Sequence, residues 1–203
     1  MFDSFPHGVS ERLERSRYHE EFYRLFKSGV GSLDKLERGQ NFKERGFASW
    51  EAFAAGEWER ALSLIDERRE AYARQVQDGE RLGIAQRRLR VVEFPVTTYV
   101  QWEMHVLSVR VDTGDPIKAI DARTIADIEE HHLVPEVVIF GDLVMFEVRY
   151  DDDGNADGAN RFTDTALIKE TKAGFDTLYG RAEDFTTFFD REIAPLAPPL
   201  VDR

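Results

Sequence analysis

Leu13, Tyr18, Phe22, Leu25 and Phe26, spaced by five, four, three and one through ERLERSRYHEEFYRLF, fall roughly on one helix face. Ser10 stands where its hydroxyl can cap that helix, and the glycines of KSGVGS end it. SLDKLERGQNFKERGF has little periodicity and reads as loop with a short turn of helix. Ser49 is placed to cap WEAFAAG. After Gly56 a longer helix begins near Trp58, striped by Trp58, Ala61, Leu62, Ile65, Tyr72 and Val76. Residues 1–80 are therefore expected to form a helical N-terminal region.

The pattern changes after residue 80. RRLRVVEF alternates Leu89 and Val91 with arginines and stops at Pro95, as a half-buried strand would. Residues 97–112 fit either state: their β-branched residues favour strand, whereas Tyr99, Trp102, Glu103 and Val106 share a helix face. DPIKAID reads as a short strand and ARTIADIEEHH as a short helix. PEVVIF and LVMFEVRY form a hairpin whose Gly141-Asp142 connection suits a type II′ turn, and ANRFT supplies a third antiparallel strand. The stretch from Asp164 to Ile193 reads as one long closing helix, followed by the extended tail APLAPPL. The expected fold is thus α/β, with a mixed or antiparallel sheet and hairpin meander in residues 81–203.

Charge narrows the partners. A formal net charge of -12 opposes a phosphate backbone, and the one basic run, Arg87 to Arg90, is better explained as strand, so direct nucleic-acid binding is not expected. With no cysteine, the chain has no disulfide, thiolate nucleophile or Cys-ligated metal. No basic end followed by an apolar run opens MFDSFPHGVSERLERS, and no apolar stretch approaches membrane-spanning length, so the expected location is the cytoplasm.

The densest oxygen cluster is DDDGNADGANRFTD. Counted from Asp153, oxygen side chains fall at the first, third and fifth places (Asp153, Asn155, Asp157), with Gly158 at the sixth and Asp164 at the twelfth. That spacing resembles the calcium loop of dockerin modules, and a hard cation needs such clustering because it takes about six to eight oxygens. The simpler reading is a turn, since Asp, Asn and Gly tolerate left-handed backbone and bond to their own chain, with Asp164 or Thr163 capping the following helix. His131 and His132 follow two glutamates, but adjacent helical residues point about 100° apart and do not share a metal. Neither G-x-S-x-G, a Walker A loop nor G-x-G-x-x-G occurs, and GVGS at Gly29–Ser32 is too short to cradle phosphate. Tyr99, Trp102, Glu103 and His105 are the candidate ligand-binding set. If helical, they offer aromatic surface and a carboxylate, weighed against an ordinary aromatic core stripe.

Residues 88–180 resemble domain-of-unknown-function family 6879, an actinobacterial family commonly met beside helix-turn-helix regulators. LRVVEFPVTTYVQWE carries its Pro–Tyr–Glu spacing at Pro95, Tyr99 and Glu103; TGDPIKA and VVIFGDLVMFEVRYDDDGNADG follow, with the family's hairpin and acidic Gly-turn. Gln101 replaces the family's usual arginine. The same region is similar in pattern to one half of a phospholipase D-like fold, but Pro135 and Val137 stand where that fold would carry H-x-K. The resemblance implies a disarmed copy used for binding. The expected function is a non-catalytic, cytoplasmic accessory protein that engages a protein regulator or a small molecule. No cofactor is expected unless calcium occupies the acidic loop. The alternative is an enzyme of unfamiliar type in specialised metabolism, with a pocket around Tyr99, Trp102, Glu103 and His105.

Overall fold

Leu89 and Val91 point to one side of their strand and Arg88 and Arg90 to the other, and this division runs through the whole sheet. The computed structural model describes residues 2–200. Strand β1 (Glu11–Leu13) leads into helix α1 (Arg15–Lys27), strand β2 (Ser32–Glu37), and helices α2 (Ala48–Ala54), α3 (Trp58–Asp66) and α4 (Arg69–Arg81). Strand β3 (Ala85–Val92), helix α5 (Thr98–Asp112) and strand β4 (Ile117–Asp121) follow, then strands β5 (Val137–Phe140), β6 (Val144–Tyr150) and β7 (Ala156–Phe162). Helix α6 (Thr165–Arg181), the short strand β8 (Glu183–Asp184) and helix α7 (Phe185–Glu192) close the chain. Among the described residues the strands form one mixed sheet, ordered β1-β7-β6-β5-β2-β3-β4-β8. Only β2, β3 and β4 run parallel.

The α/β class, the mixed sheet and the β5–β6–β7 meander are as expected. The hairpin turn closes with Leu143 N–H donating to Phe140 O at 3.1 Å, with Gly141 in the left-handed region at φ 56°. Residues 97–112 resolve as helix α5, capped by Thr97 Oγ1 accepting from Val100 N–H. Both of its faces are apolar because it is buried on both.

Several expectations need correction. SLDKLE is no loop: it is the central strand β2, and its apolar alternation is masked because Asp34 is fully buried against Arg87, with Asp34 Oδ1 accepting from Nε at 2.7 Å. With β1 at one edge of the sheet and β2 at its centre, the sheet runs across the division expected at residue 80. Glu11–Leu13, expected as the first turn of helix, extend along β7, and α1 starts at Arg15 without Ser10 as cap. Ser49 lies within α2 instead of capping it; its hydroxyl donates to Ala61 O at 2.8 Å and accepts from Trp102 Nε1 at 3.0 Å. The long helix from Trp58 breaks at Glu67–Arg68, inside the seven-residue gap of its stripe. ARTIADIEEHH keeps only a 3₁₀ turn at Ala122–Ile125, because Glu129 is drawn to the Arg38 guanidinium. The closing helix is two helices: Lys118 Nζ donates to the carbonyls of Tyr179 and Ala182, ending α6, and Glu183–Asp184 pair with β4.

Three apolar clusters stabilise this arrangement. Beneath the sheet, Leu36, Leu89, Val91, Ile139 and Met145 pack on Phe175 and Leu178 of α6. Above it the core is split. Helices α2–α5 and α7 cover β3 and β4, whereas Leu25 and Phe22 of α1 cover Phe140 and Phe146. Between those two upper clusters, β2 and β3 present Lys35, Glu37, Arg88 and Arg90, a polar seam along the middle of the sheet.

The edge strand depends on Gly158, whose backbone sits at φ 110° with no room for a Cβ beside Leu13 O. Gly158→Ala is expected to destabilise the fold by more than about 1 kcal/mol. Amide exchange should accelerate first at Glu11–Leu13; unchanged protection there would refute the close-approach explanation.

Candidate functional site

The seam opens at one end into a cavity of about 690 Å³ between α1 and α4. Its floor is Leu33 and Lys35 of β2 with Gln86 and Arg88 of β3; Arg110 reaches in from α5. Phe22, Tyr23 and Phe26, spaced to share one face of α1, form an aromatic wall, and Leu82 stands opposite. Five cationic side chains line the cavity (Lys27, Lys35, Arg81, Arg88, Arg110) against a single carboxylate, Asp78, which Arg81 engages. In a chain of net charge -12 this is a local reversal of field.

The cations are not equivalent. Arg88 Nη1 lies 2.8 Å from Glu37 Oε1, and Arg110 Nη2 lies 2.6 Å from Asp115. Lys35 has no such partner among the described residues; its ammonium stands 5.4 Å from the centre of the Phe22 ring. Burial, then the neighbouring Arg88 charge, bring the Lys35 pKa down to about 7, against weaker pulls upward from Glu37 and Asp115. The backbone enforces this crowding, because Lys35 and Arg88 are register partners on adjacent parallel strands.

Farther along the seam lies a second polar centre. Arg90 is wholly buried, its Nε donating to Glu103 Oε2 at 2.7 Å and its Nη groups to the carbonyls of Gly39 at 2.6 Å and Val91 at 3.0 Å. The Tyr99 hydroxyl lies 3.1 Å from Glu44 Oε1 and 3.4 Å from Glu103 Oε1. One phenolic proton serves only one of those acceptors, so a proton on Glu103 completes the second contact. Burial moves Glu103 the same way, raising its pKa to about 7 against the opposing pull of Arg90. Glu136, raised by burial, accepts from Tyr150 O–H at 2.7 Å and Gly39 N–H at 2.8 Å.

The expected ligand set thus separates. Tyr99 and Glu103 meet in this buried network. Trp102 is core, stacked on Phe53 at 5.7 Å. His105 points elsewhere, edge-on to Trp58 and Phe189, and burial lowers its pKa. None of the four lines the cavity. Gln101 donates to Ala197 O at 2.8 Å. The acidic loop is held as a turn: Asp151 Oδ1 accepts from the Asp153 and Asn155 backbone amides at 3.0 and 2.8 Å. Asp157 pairs with Arg12 at 2.8 Å, and Asp164 caps α6 through the Ala166 and Leu167 amides. Asp153, Asn155, Asp157 and Asp164 are not gathered into a cluster, and no group of three or more His, Asp or Glu among the described residues could hold a metal ion. Sequence reasoning missed Lys35, Arg88 and Arg110. The available signal was Lys35 flanked by Leu33 and Leu36 in a segment that reads as loop.

This is a mixed α/β protein with a cation-floored cavity set into an otherwise acidic molecule. The chain belongs to the family described as domain of unknown function 6879, whose model matches residues 20–190. That match takes in the second half of α1, β2 and the cavity floor as well as the stretch from residue 88. No curated protein matches the chain. Among solved structures, the archaeal chromatin protein TrmBL2, described as showing a novel mode of DNA binding, aligns at 10% identity and a TM-score of 0.39. The overlap covers 89% of this chain and 56% of that one. Among the described residues no helix is long and apolar enough to cross a membrane.

Arg90→Met should cost about 3–5 kcal/mol, because Glu103 is left buried without its partner, and Glu103→Leu in the same chain should recover most of it. Urea midpoints of the single and double variants measure this. The pH dependence has two limbs. Folded Glu103 holds its proton up to about pH 7 rather than 4.5, so stability falls as pH rises through that window. Folded Lys35 releases its proton near pH 7 rather than 10.5, so stability rises between those values. Glu103→Gln should flatten the first limb and Lys35→Met the second.

Proposed function

We propose that the protein binds, without transforming it, a small organic anion whose carboxylate or phosphate meets the cations of the cavity floor while a flat apolar body lies on the aromatic wall. One observation carries the reading: Lys35 presents a half-buried ammonium, with neither hydrogen bond nor ion pair among the described residues, to a cavity walled by Phe22 and Phe26. Leaving a cation desolvated and beside Arg88 costs stability, and an incoming anion would relieve both penalties. The aromatic wall suits a ligand that is mostly apolar with a few fixed polar contacts.

A cytoplasmic accessory role, in which occupancy is passed to a protein regulator, is the setting we propose. Its support is the resemblance to a family met beside helix-turn-helix regulators. Pro135 and Val137, standing where the phospholipase D-like pattern would place H-x-K, favour binding over hydrolysis.

Thermal unfolding against a panel of aromatic carboxylates and aryl phosphates at low salt tests the reading. Binders should raise the melting temperature with concentration. Lys35→Met should weaken their binding by about 1.5–3 kcal/mol, the worth of a hydrogen bond to a charged group. Binding that is indifferent to this substitution would place the ligand elsewhere.

A further inference from the structure

We propose that Lys35 captures its ligand covalently, its amine condensing with the carbonyl of a 2-oxo acid whose carboxylate is held by the Arg88 side of the cavity. The inference rests on the binding role proposed above and names the ligand class for that same cavity.

The geometry makes this lysine unlike a charge-pairing one. Arg88 and Arg110 are each answered by a carboxylate at 2.8 and 2.6 Å, whereas Lys35 faces the open cavity. Its cross-strand neighbour is Arg88, a like charge; across β5 its register partner is Val138. Phe22 of α1 lies over its tip. Burial and the Arg88 charge disfavour an ammonium more than a neutral amine, outweighing the cation–π attraction of the Phe22 ring face. Arg110 from α5 adds to the repulsion, while Glu37 on the same strand and Asp115 beyond α5 oppose it without touching Lys35. With its pKa brought to about 7, a large fraction of Lys35 is free amine at neutral pH. An ordinary lysine offers roughly one part in a few thousand. Desolvation and an adjacent cation are the conditions under which lysines become nucleophiles toward carbonyls.

The cavity also selects the electrophile. An acid group must sit near a guanidinium, and Arg88 keeps a buried Nε–H without an acceptor. A carbonyl next to that acid group then falls toward Lys35, the register neighbour of Arg88. The remaining body must be apolar to lie against Phe22, Phe26 and Leu82. In the reaction the Lys35 nitrogen lone pair forms a bond to the carbonyl carbon as the C=O π bond breaks. The nitrogen proton passes to that oxygen through cavity water, giving a carbinolamine. Protonation of the hydroxyl by solvent releases one water and leaves a protonated imine. No oxidant or reductant is needed, and hydrolysis returns ligand and amine unchanged.

Phenylpyruvate, which carries the acid, the adjacent carbonyl and an aromatic body, is the probe. The wild-type chain is incubated with it near pH 7, treated with sodium borohydride, and measured by intact and peptide mass spectrometry. The expected result is one adduct, heavier by the probe mass less one oxygen atom, mapping to Lys35. Lys35→Arg, which keeps a cation but cannot condense, should lose the adduct entirely. Calorimetric titration of phenylpyruvate without borohydride separates the two ideas. Binding without an adduct overturns covalent capture and leaves the anion-binding role standing. Neither binding nor adduct overturns capture and removes support for that role with this ligand class. Adducts spread over several lysines in proportion to exposure also overturn it.

Discussion

Arg90 lies at zero exposure on β3, and satisfying its guanidinium dictates where three separate segments must be. Its Nε requires a carboxylate from α5, which Glu103 supplies; its Nη atoms require carbonyls, which the chain after β2 supplies at Gly39 and β3 supplies at Val91. Stripping water from an arginine costs several kcal/mol unless most donors find acceptors in good geometry. The pair therefore holds helix, strand and loop in one relation, and α5 cannot slide across the sheet to close the gap over β2. Consequently the two apolar clusters above the sheet stay apart, and the strip between them stays polar.

A polar strip at the centre of a sheet is normally a liability, because each charge there must be paired or hydrated. Here the two ends solve the problem differently. Toward the carboxyl ends of β2 and β3 the solution is pairing: Arg90 with Glu103, Glu136 with Tyr150 and Gly39. Toward the other end Glu37 answers Arg88, and Lys35, without a hydrogen-bond or ion-pair partner among the described residues, opens onto the cavity. Alternating parallel strands place Lys35 directly beside Arg88 and leave no position between them for an acid. The unpaired cation follows from register, not from looseness in the fold.

Much of the architecture was legible because most of it obeys simple periodicity. The hairpin of β5 and β6 declared itself through two apolar runs around Gly141, and α1 through its apolar stripe. The central strand was not legible, for a physical reason. Reading SLDKLE as a strand requires knowing that Asp34 would be answered by Arg87 from fifty-three residues away and that Lys35 would face a cavity. The RRLR run was correctly read as strand, but its arginines are paired: Arg88 and Arg90 form the seam, and Arg87 answers Asp34 on the opposite face. Tyr99 and Glu103 were rightly joined on a helix face, yet what they serve is Arg90. Trp102 and His105, less than one turn apart on the same helix, went to the core and to a different aromatic contact.

Glu37 joins the two halves of the strip. Its carboxylate holds Arg88 at 2.8 Å while its backbone carbonyl accepts from Arg90 at 3.3 Å. An anion arriving on Arg88 would compete with the Glu37 carboxylate for the same guanidinium, and the weaker that hold becomes, the more Glu37 bears on its buried neighbours. Glu103 already sits close to neutrality in its proton equilibrium, and the Glu37 charge is one of the influences pushing it upward. If an anion occupies the cavity as proposed, its occupancy and the protonation of Glu103 beside Tyr99 would be tied through this one side chain. Coupling of that kind requires no backbone movement, only a change in which cation Glu37 answers.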